Sequence, residues 1–234
     1  FLTSHKAQNV RPLSDDVAYD FVGDYKEVNS LLNFDKPVTH GVQTESDWHF
    51  EHKAKQNAAM MASPKVIEEV FEEYAKISGR KYNMIETYKT EDADVIIVCL
   101  GTTYQTAQVA ADKMREEGVK AGVLMPRVFR PTQLEMLASK LQNAKAVVCM
   151  DRSAPGGQTG LLFQDVAAAL FNTPARPLLS NIIYGLGGRD INIEKLKAIY
   201  NYAQAEVNAG KLNGSVQRFV GVRGPELKYY SVEG

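Results

Sequence analysis

Four short segments of this 234-residue chain combine cations, acids and glycines in ways that could meet a ligand: Gly101-Thr102-Thr103, Arg127-Val128-Phe129-Arg130, Asp151-Arg152 and Gly185-Leu186-Gly187-Gly188-Arg189-Asp190. The last is the most informative. Gly185, Gly187 and Gly188 supply backbone without side-chain chemistry, and the segment then presents a cation and an anion side by side. Arginine's planar fork suits a carboxylate or phosphate and is favoured at interfaces. No nucleophile or evident base accompanies Arg127 and Arg130, so a subunit or domain contact is preferred over substrate binding there. Acid and base adjacent in sequence, as in Asp151-Arg152 and Arg189-Asp190, ordinarily satisfy neighbouring loops. Asp190, followed by Ile191 and Asn192, also reads as a helix cap.

Several better-defined chemistries are missing. Gly101-Thr102-Thr103 follows an apolar run and opens a helical one, where backbone N–H groups favour anions. It lacks both G-x-G-x-x-G and G-x-x-x-x-G-K-[ST], so a tight strand-to-helix turn is the reading retained. His49-Phe50-Glu51-His52 is not H-E-x-x-H, whose histidines lie four apart with the glutamate beside the first. Surface or structural histidines are expected, without a zinc site. Ser4-His5, His40, Ser153 and Ser180 suggest no nucleophile system. Cys99 and Cys149 each sit inside an apolar run, fifty residues apart, and read as buried inert thiols rather than a disulfide or cluster set. The sequence argues against a self-contained catalytic site, with no metal bound by this chain.

Composition narrows the class. An apolar content of 44% supports a real core. Twenty-seven basic against twenty-eight acidic residues give a net charge of −1, so no global field draws nucleic acid or anionic lipid. No segment reaches the roughly 18–20 apolar residues that span a bilayer, and no signal-peptide pattern opens the chain. A cytoplasmic location is expected. Since Phe1 is not methionine, the chain is expected to be a processed product or a piece that begins inside a larger fold.

The elements that must position these segments are clearest after Asp92. Ala93–Leu100 is too continuously apolar to face water on one side, which marks a strand in a parallel sheet covered on both faces. A helix over Tyr104–Glu117 follows, then a strand over Lys120–Met125. A helix begins at Pro131-Thr132 and runs through Leu141, before a third strand over Ala144–Met150. Helix Leu161–Phe171, last strand Leu178–Tyr184 and helix Ile193–Ala209 complete the rhythm. The fold class is therefore α/β, with a doubly wound, mostly parallel sheet, and contacts are expected outside the carboxyl ends of its strands.

Residues 1–48 are much less regular and are expected to lie along something else. Ser14-Asp15-Asp16 reads as the cap of a short helix through Val22, and Val28–Phe34 as another short turn or helix. Trp48 to Met61 forms one polar helical pattern, and Ser63-Pro64 reads as the start of a separate helix that Gly79 ends.

Taken in order, Phe1-Leu2-Thr3-Ser4-His5, Pro37-Val38-Thr39, Phe50-Glu51-His52, Val66 to Val70, Val98 to Gly101, Phe129-Arg130-Pro131, Asp151-Arg152-Ser153 and Gly185 to Asp190 carry a resemblance. The chain resembles the alpha subunit in the thiamine-diphosphate-dependent pyruvate:ferredoxin (pyruvate synthase) and 2-oxoacid:ferredoxin oxidoreductase family, without that subunit's first half. The resemblance implies that residues 1–23 are the tail of a thiamine pyrimidine-binding domain and 24–86 a connector. It makes 87–213 a domain like the C-terminal domain of transketolases, and 214–234 a tail packing on a partner or domain.

The implied activity is oxidative decarboxylation of a 2-oxo acid, foremost pyruvate, to an acyl-coenzyme A and carbon dioxide, or the reverse, with electrons passed to ferredoxin. Thiamine diphosphate, magnesium and [4Fe-4S] clusters would belong to the complex, none bound wholly by this chain. Other subunits, ferredoxin and coenzyme A are the implied partners. Thr3, Ser4, His5, Arg127, Arg130, Asp151, Arg152, Gly185, Gly187, Gly188, Arg189 and Asp190 are the expected interface or active-site-proximal residues, with no catalytic step assigned. Leu2 departs from the family's arginine before Thr-Ser-His, and Ala154-Pro155-Gly156-Gly157 departs from its usual turn. A relative acting on oxalate or another short 2-oxo acid stays open, as do a nucleotide or small-molecule module and a pure scaffold.

Overall fold

The computed structural model describes residues 11–223 and 231–232. Thr3, Ser4 and His5 therefore lie outside the described residues. The chain divides into two compact units, Phe1–Tyr82 and Asn83–Gly234.

In the first unit, helix α1 (Asp15–Val22) starts after Ser14, whose extended backbone accepts from Ala18 N at 2.9 Å but whose hydroxyl makes no cap bond. The Val28–Phe34 stretch is turn rather than helix. Asn33 Oδ1 accepts from the backbone of Asp35 and Lys36, both at 3.1 Å, and so competes with helical pairing. Helix α2 is one continuous element, Ser46–Ser78, with Pro64 inside it. This corrects the expected break at Ser63-Pro64. Proline takes away the N–H that would bond the Met60 carbonyl, and the Ser63 hydroxyl donates to that same carbonyl at 2.7 Å. The neighbouring side chain thus satisfies the freed acceptor. Phe21 meets Tyr74 edge-on at 6.1 Å, and Tyr82 stacks on Tyr74 at 6.0 Å.

The second unit holds the sheet. Its strands are β1 (Ile85–Tyr88), β2 (Val95–Val98), β3 (Ala121–Pro126), β4 (Ala146–Asp151), β5 (Leu178–Ile183), β6 (Gln217–Val220) and β7 (Ser231–Val232), in the spatial order β1-β3-β2-β4-β5-β6-β7. Among the described strands, only β1 runs antiparallel to its neighbour. Helices α3 (Thr103–Glu116) and α6 (Ile193–Ala209) cover one face; α4 (Leu134–Leu141) and α5 (Leu161–Phe171) cover the other. Two apolar clusters result. Val95, Ile97, Val148 and Met150 point to the first, and Ile96, Val98, Val147 and Cys149 to the second. This alternation explains why the strand runs are apolar throughout.

Leu178–Tyr184 is not the last strand, because β6 and β7 extend the sheet in parallel beyond it. β6 reads Gln-Arg-Phe-Val, and its Arg218 is buried at 2% exposure. An inward arginine hides a strand signal. It is tolerated here because Arg218 Nη2 bonds Glu206 Oε1 of α6 at 2.7 Å and its guanidinium lies over Tyr202.

Candidate functional site at the carboxyl edge of the sheet

The parallel strands bring Gly101, Arg127, Asp151-Arg152 and Gly185 to one edge, together with Gly221 at the end of β6. Apart from Thr3-Ser4-His5, every expected site residue belongs to these loops. Their individual bonds show what each does.

Asp151 closes β4 and is buried. Its Oδ1 accepts from Leu162 N at 2.9 Å and its Oδ2 from Phe163 N at 3.2 Å, so it caps α5 from a neighbouring strand. Asn181 Nδ2 donates to Asp151 Oδ2 at 2.8 Å, while Asn181 Oδ1 accepts from Gly160 N at 2.8 Å. Helix α5 needs this because Gly160, at its cap position, has no side chain to offer. A Cβ at Gly160 would fall 2.2 Å from Asp151 Cγ, which fixes glycine there. Asn181 was missed by sequence reasoning; a glycine immediately before an apolar helix is the signal that its cap comes from elsewhere.

Arg127 and Arg130 are tied to acids of the same unit. Arg127 Nε donates to Glu86 Oε1 at 3.0 Å, and Arg130 Nη1 to Asp165 Oδ2 at 2.8 Å. Burial works to raise the Glu86 pKa, but the bonds from Asn83 and Arg127 outweigh it and hold the carboxyl below its ordinary value. Arg130 also lies over its neighbour Phe129, 4.1 Å from the ring centre.

Arg152 and Arg189 are arranged differently. Arg152 Nη2 donates to Gly185 O at 3.2 Å and its guanidinium lies 5.7 Å from the Tyr184 ring centre. Arg189 Nη1 donates to the Gly221 carbonyl. The expected cap at Asp190 is corrected to Asn192, whose Oδ1 accepts from Lys195 N at 3.0 Å. Two further residues separate Asp190 from the first helical N–H groups, whereas Asn192 reaches them. Gly185 itself sits at φ 67°, in the left-handed region that a larger residue would strain.

Gly101-Thr102-Thr103 behaves as a structural turn. Tyr104 N bonds Gly101 O at 3.1 Å, and the buried Thr103 hydroxyl pairs with the Tyr184 hydroxyl at 2.8 Å. Burial pushes the Tyr184 pKa up. That tyrosine was also missed, since it lies in an apolar run.

Cys99 and Cys149 are fully buried free thiols. Burial raises Cys99 to about 12 and Cys149 well above its ordinary value. They belong to the apolar clusters on opposite faces of the sheet. His40 faces Asn29 O at 3.3 Å, and His49 and His52 are exposed on α2. Among the described residues, no three histidine, cysteine, aspartate or glutamate side chains gather as metal ligands. No helix among the described residues is long and apolar enough to cross a membrane.

A doubly wound α/β unit whose edge is rich in arginine and glycine, preceded by a long helical segment, is the class these observations define. Comparison with known proteins is more specific. The family model for pyruvate:ferredoxin oxidoreductase core domain II matches residues 93–196, and the model for the thiamine-diphosphate-binding part of pyruvate flavodoxin/ferredoxin oxidoreductase matches residues 1–72. The chain belongs to the pyruvate:ferredoxin oxidoreductase family.

Pyruvate synthase subunit PorA of Thermotoga maritima is 39% identical over 223 residues, 95% of this chain and 56% of that subunit. Ketoisovalerate oxidoreductase subunit VorA of Pyrococcus furiosus is 35% identical, over 92% of this chain and 55% of that protein. The chain spans a little over half the length of these curated relatives. A solved 2-oxoglutarate:ferredoxin oxidoreductase from Magnetococcus marinus aligns with a TM-score of 0.39 and 20% identity, over 65% of this chain and 23% of that one.

Proposed function

We propose that this chain is the C-terminal part of the alpha subunit of a 2-oxoacid:ferredoxin oxidoreductase, with pyruvate as the 2-oxo acid. In this reading the complex converts pyruvate, coenzyme A and oxidised ferredoxin to acetyl-coenzyme A, carbon dioxide and reduced ferredoxin, or runs in reverse. The observation that carries it is the ordered match of two models of one family, backed by 39% identity to a pyruvate synthase subunit over nearly the whole chain.

Residues 1–23 would be the tail of the thiamine pyrimidine-binding domain, 24–86 the connector, 87–213 the transketolase-like domain and 214–234 a packing tail. Thiamine diphosphate, magnesium and [4Fe-4S] clusters would belong to the complex in the cytoplasm, none bound wholly by this chain. Ferredoxin and coenzyme A would be partners of the assembly.

The arginine and glycine loops would then position domains rather than break bonds. Arg127 and Arg130 are spent on Glu86 and Asp165, and Asp151 on α5, so none is available as a base. The chain alone is expected to be inactive. Co-expression with the remaining alpha-subunit sequence and the partner subunits, followed by coenzyme A-dependent reduction of ferredoxin, tests the assignment. Turnover with pyruvate above that with 2-oxoisovalerate or oxalate is expected. Preference for either of the others would replace the substrate, and no turnover with any 2-oxo acid would overturn the function.

A further inference from the structure

We propose that the carboxyl edge of β5 and β6 binds the phosphate group of a small molecule. A cavity of about 90 Å³ lies there, lined by Tyr184, Gly185, Leu186, Arg189, Gly221 and Val222, among others. That volume suits one phosphate-sized group on an otherwise apolar floor.

One cation lines it, and two more lie beside glycines of its lining. Arg189 lines the cavity and reaches the Gly221 carbonyl. A Cβ built at Gly221 would lie 3.5 Å from Lys195 Nζ and 3.6 Å from Arg189 Cδ, so both side chains converge on that glycine. Arg152 comes from the other side, and its Nε would lie 2.7 Å from a Cβ at Gly185. Lys195 sits in the first turn of α6, where the helix dipole already raises the potential.

The partners of these three differ from those of seven other described cations of the unit. Lys89, Arg115, Arg127, Arg130, Lys145, Lys197 and Arg218 each pair with a carboxylate. Among the described residues, Arg152, Arg189 and Lys195 bond the backbone carbonyls of Gly185, Gly221 and Asp190, as Arg176 bonds carbonyls elsewhere in the unit. Asp190, the acid of the same loop, gives Lys195 its main-chain oxygen and not its carboxylate. Two guanidinium forks and an ammonium at a small cavity, with no carboxylate bonded to them among the described residues, match a dianionic oxyanion. Glycines at 185 and 221 let the cations approach the backbone closely.

Calorimetric titration of the chain, in the complex it purifies with, tests this using inorganic phosphate and adenosine monophosphate at an ionic strength fixed by sodium chloride. Saturable binding of at least one probe is expected, weakened tenfold or more by Arg189→Gln and by Lys195→Gln. Arg176→Gln should leave it unchanged, since that arginine bonds the Ala175 and Thr173 carbonyls away from the cavity. Tighter binding of the nucleotide marks an organic phosphate, and equal binding marks free phosphate; either supports the site. No saturable heat, or heat that neither variant reduces, overturns it. The Lys195 variant alters only a partly exposed helix side chain and so keeps the test decisive should Arg189→Gln fail to fold. The outcome is independent of substrate turnover, which tests the oxidoreductase reading.

Discussion

The two units of this chain bury their apolar residues on opposite terms. Neither α1 nor α2 contains a buried residue, and Tyr25, Phe34 and Phe50 are 87%, 88% and 79% exposed. In the second unit Val95, Ile96, Ile97 and Val98 are all at 0%. Large exposed aromatics gathered in one stretch mark a surface meant for other polypeptide, whereas the sheet unit carries its own core. On the proposed function the first unit would depend on association, whereas the second would not.

Removing internal partners should hurt the second unit most. Glu206→Ala leaves Arg218 buried and unpaired at 2% exposure, and should cost about 3–5 kcal/mol in urea unfolding of the chain. A loss below 1 kcal/mol would mean that β6 is not held by this pair. Asp151→Ala strips two α5 N–H groups and Asn181 of their acceptor, and about 2–3 kcal/mol should go, with the melting of α5 seen first in amide exchange. In the first unit Trp48→Ala should change the chain's own unfolding by no more than about 0.5 kcal/mol, because Trp48 is 66% exposed. Its effect should appear instead as weaker co-purification of partner subunits.

Two smaller effects sharpen the contrast. Glu86 has a folded pKa below its ordinary value, so its contribution to stability is present above the unfolded pKa of about 4 and is lost as pH falls through the folded value. Glu86→Gln should flatten the acid side of a stability profile measured from pH 6 to pH 3. Cys99 and Cys149, fully buried and pushed upward in pKa, should resist a thiol reagent at pH 8 until the sheet unit unfolds. Prompt labelling of the native chain would show that its core opens freely.

The sheet unit was the more legible half for the same physical reason. Helices Leu161–Phe171 and Ile193–Ala209 lie where their patterns place them, and the four apolar runs became β2 to β5, because two-sided burial demands continuous apolar sequence. The short edge strand β1 and the arginine-bearing β6 escaped, since a charge satisfied by a residue twelve positions away leaves no apolar period. Continuity of α2 across Pro64 also escaped; it rests on one hydroxyl, that of Ser63. At the sheet edge, the glycine–arginine loops could be read from residue type and position. Their partners, such as Tyr184 for Thr103 or Asn181 for Asp151, are distant in sequence and arise only from topology.

Native-state amide exchange of the chain, alone and with its partner subunits, tests most directly the claim that one unit is self-supporting and the other is not. Slow exchange in β2 to β5 under both conditions is expected, with residues 15–78 gaining protection only when the partners are present. Equal, strong protection of residues 15–78 in the isolated chain would contradict the account.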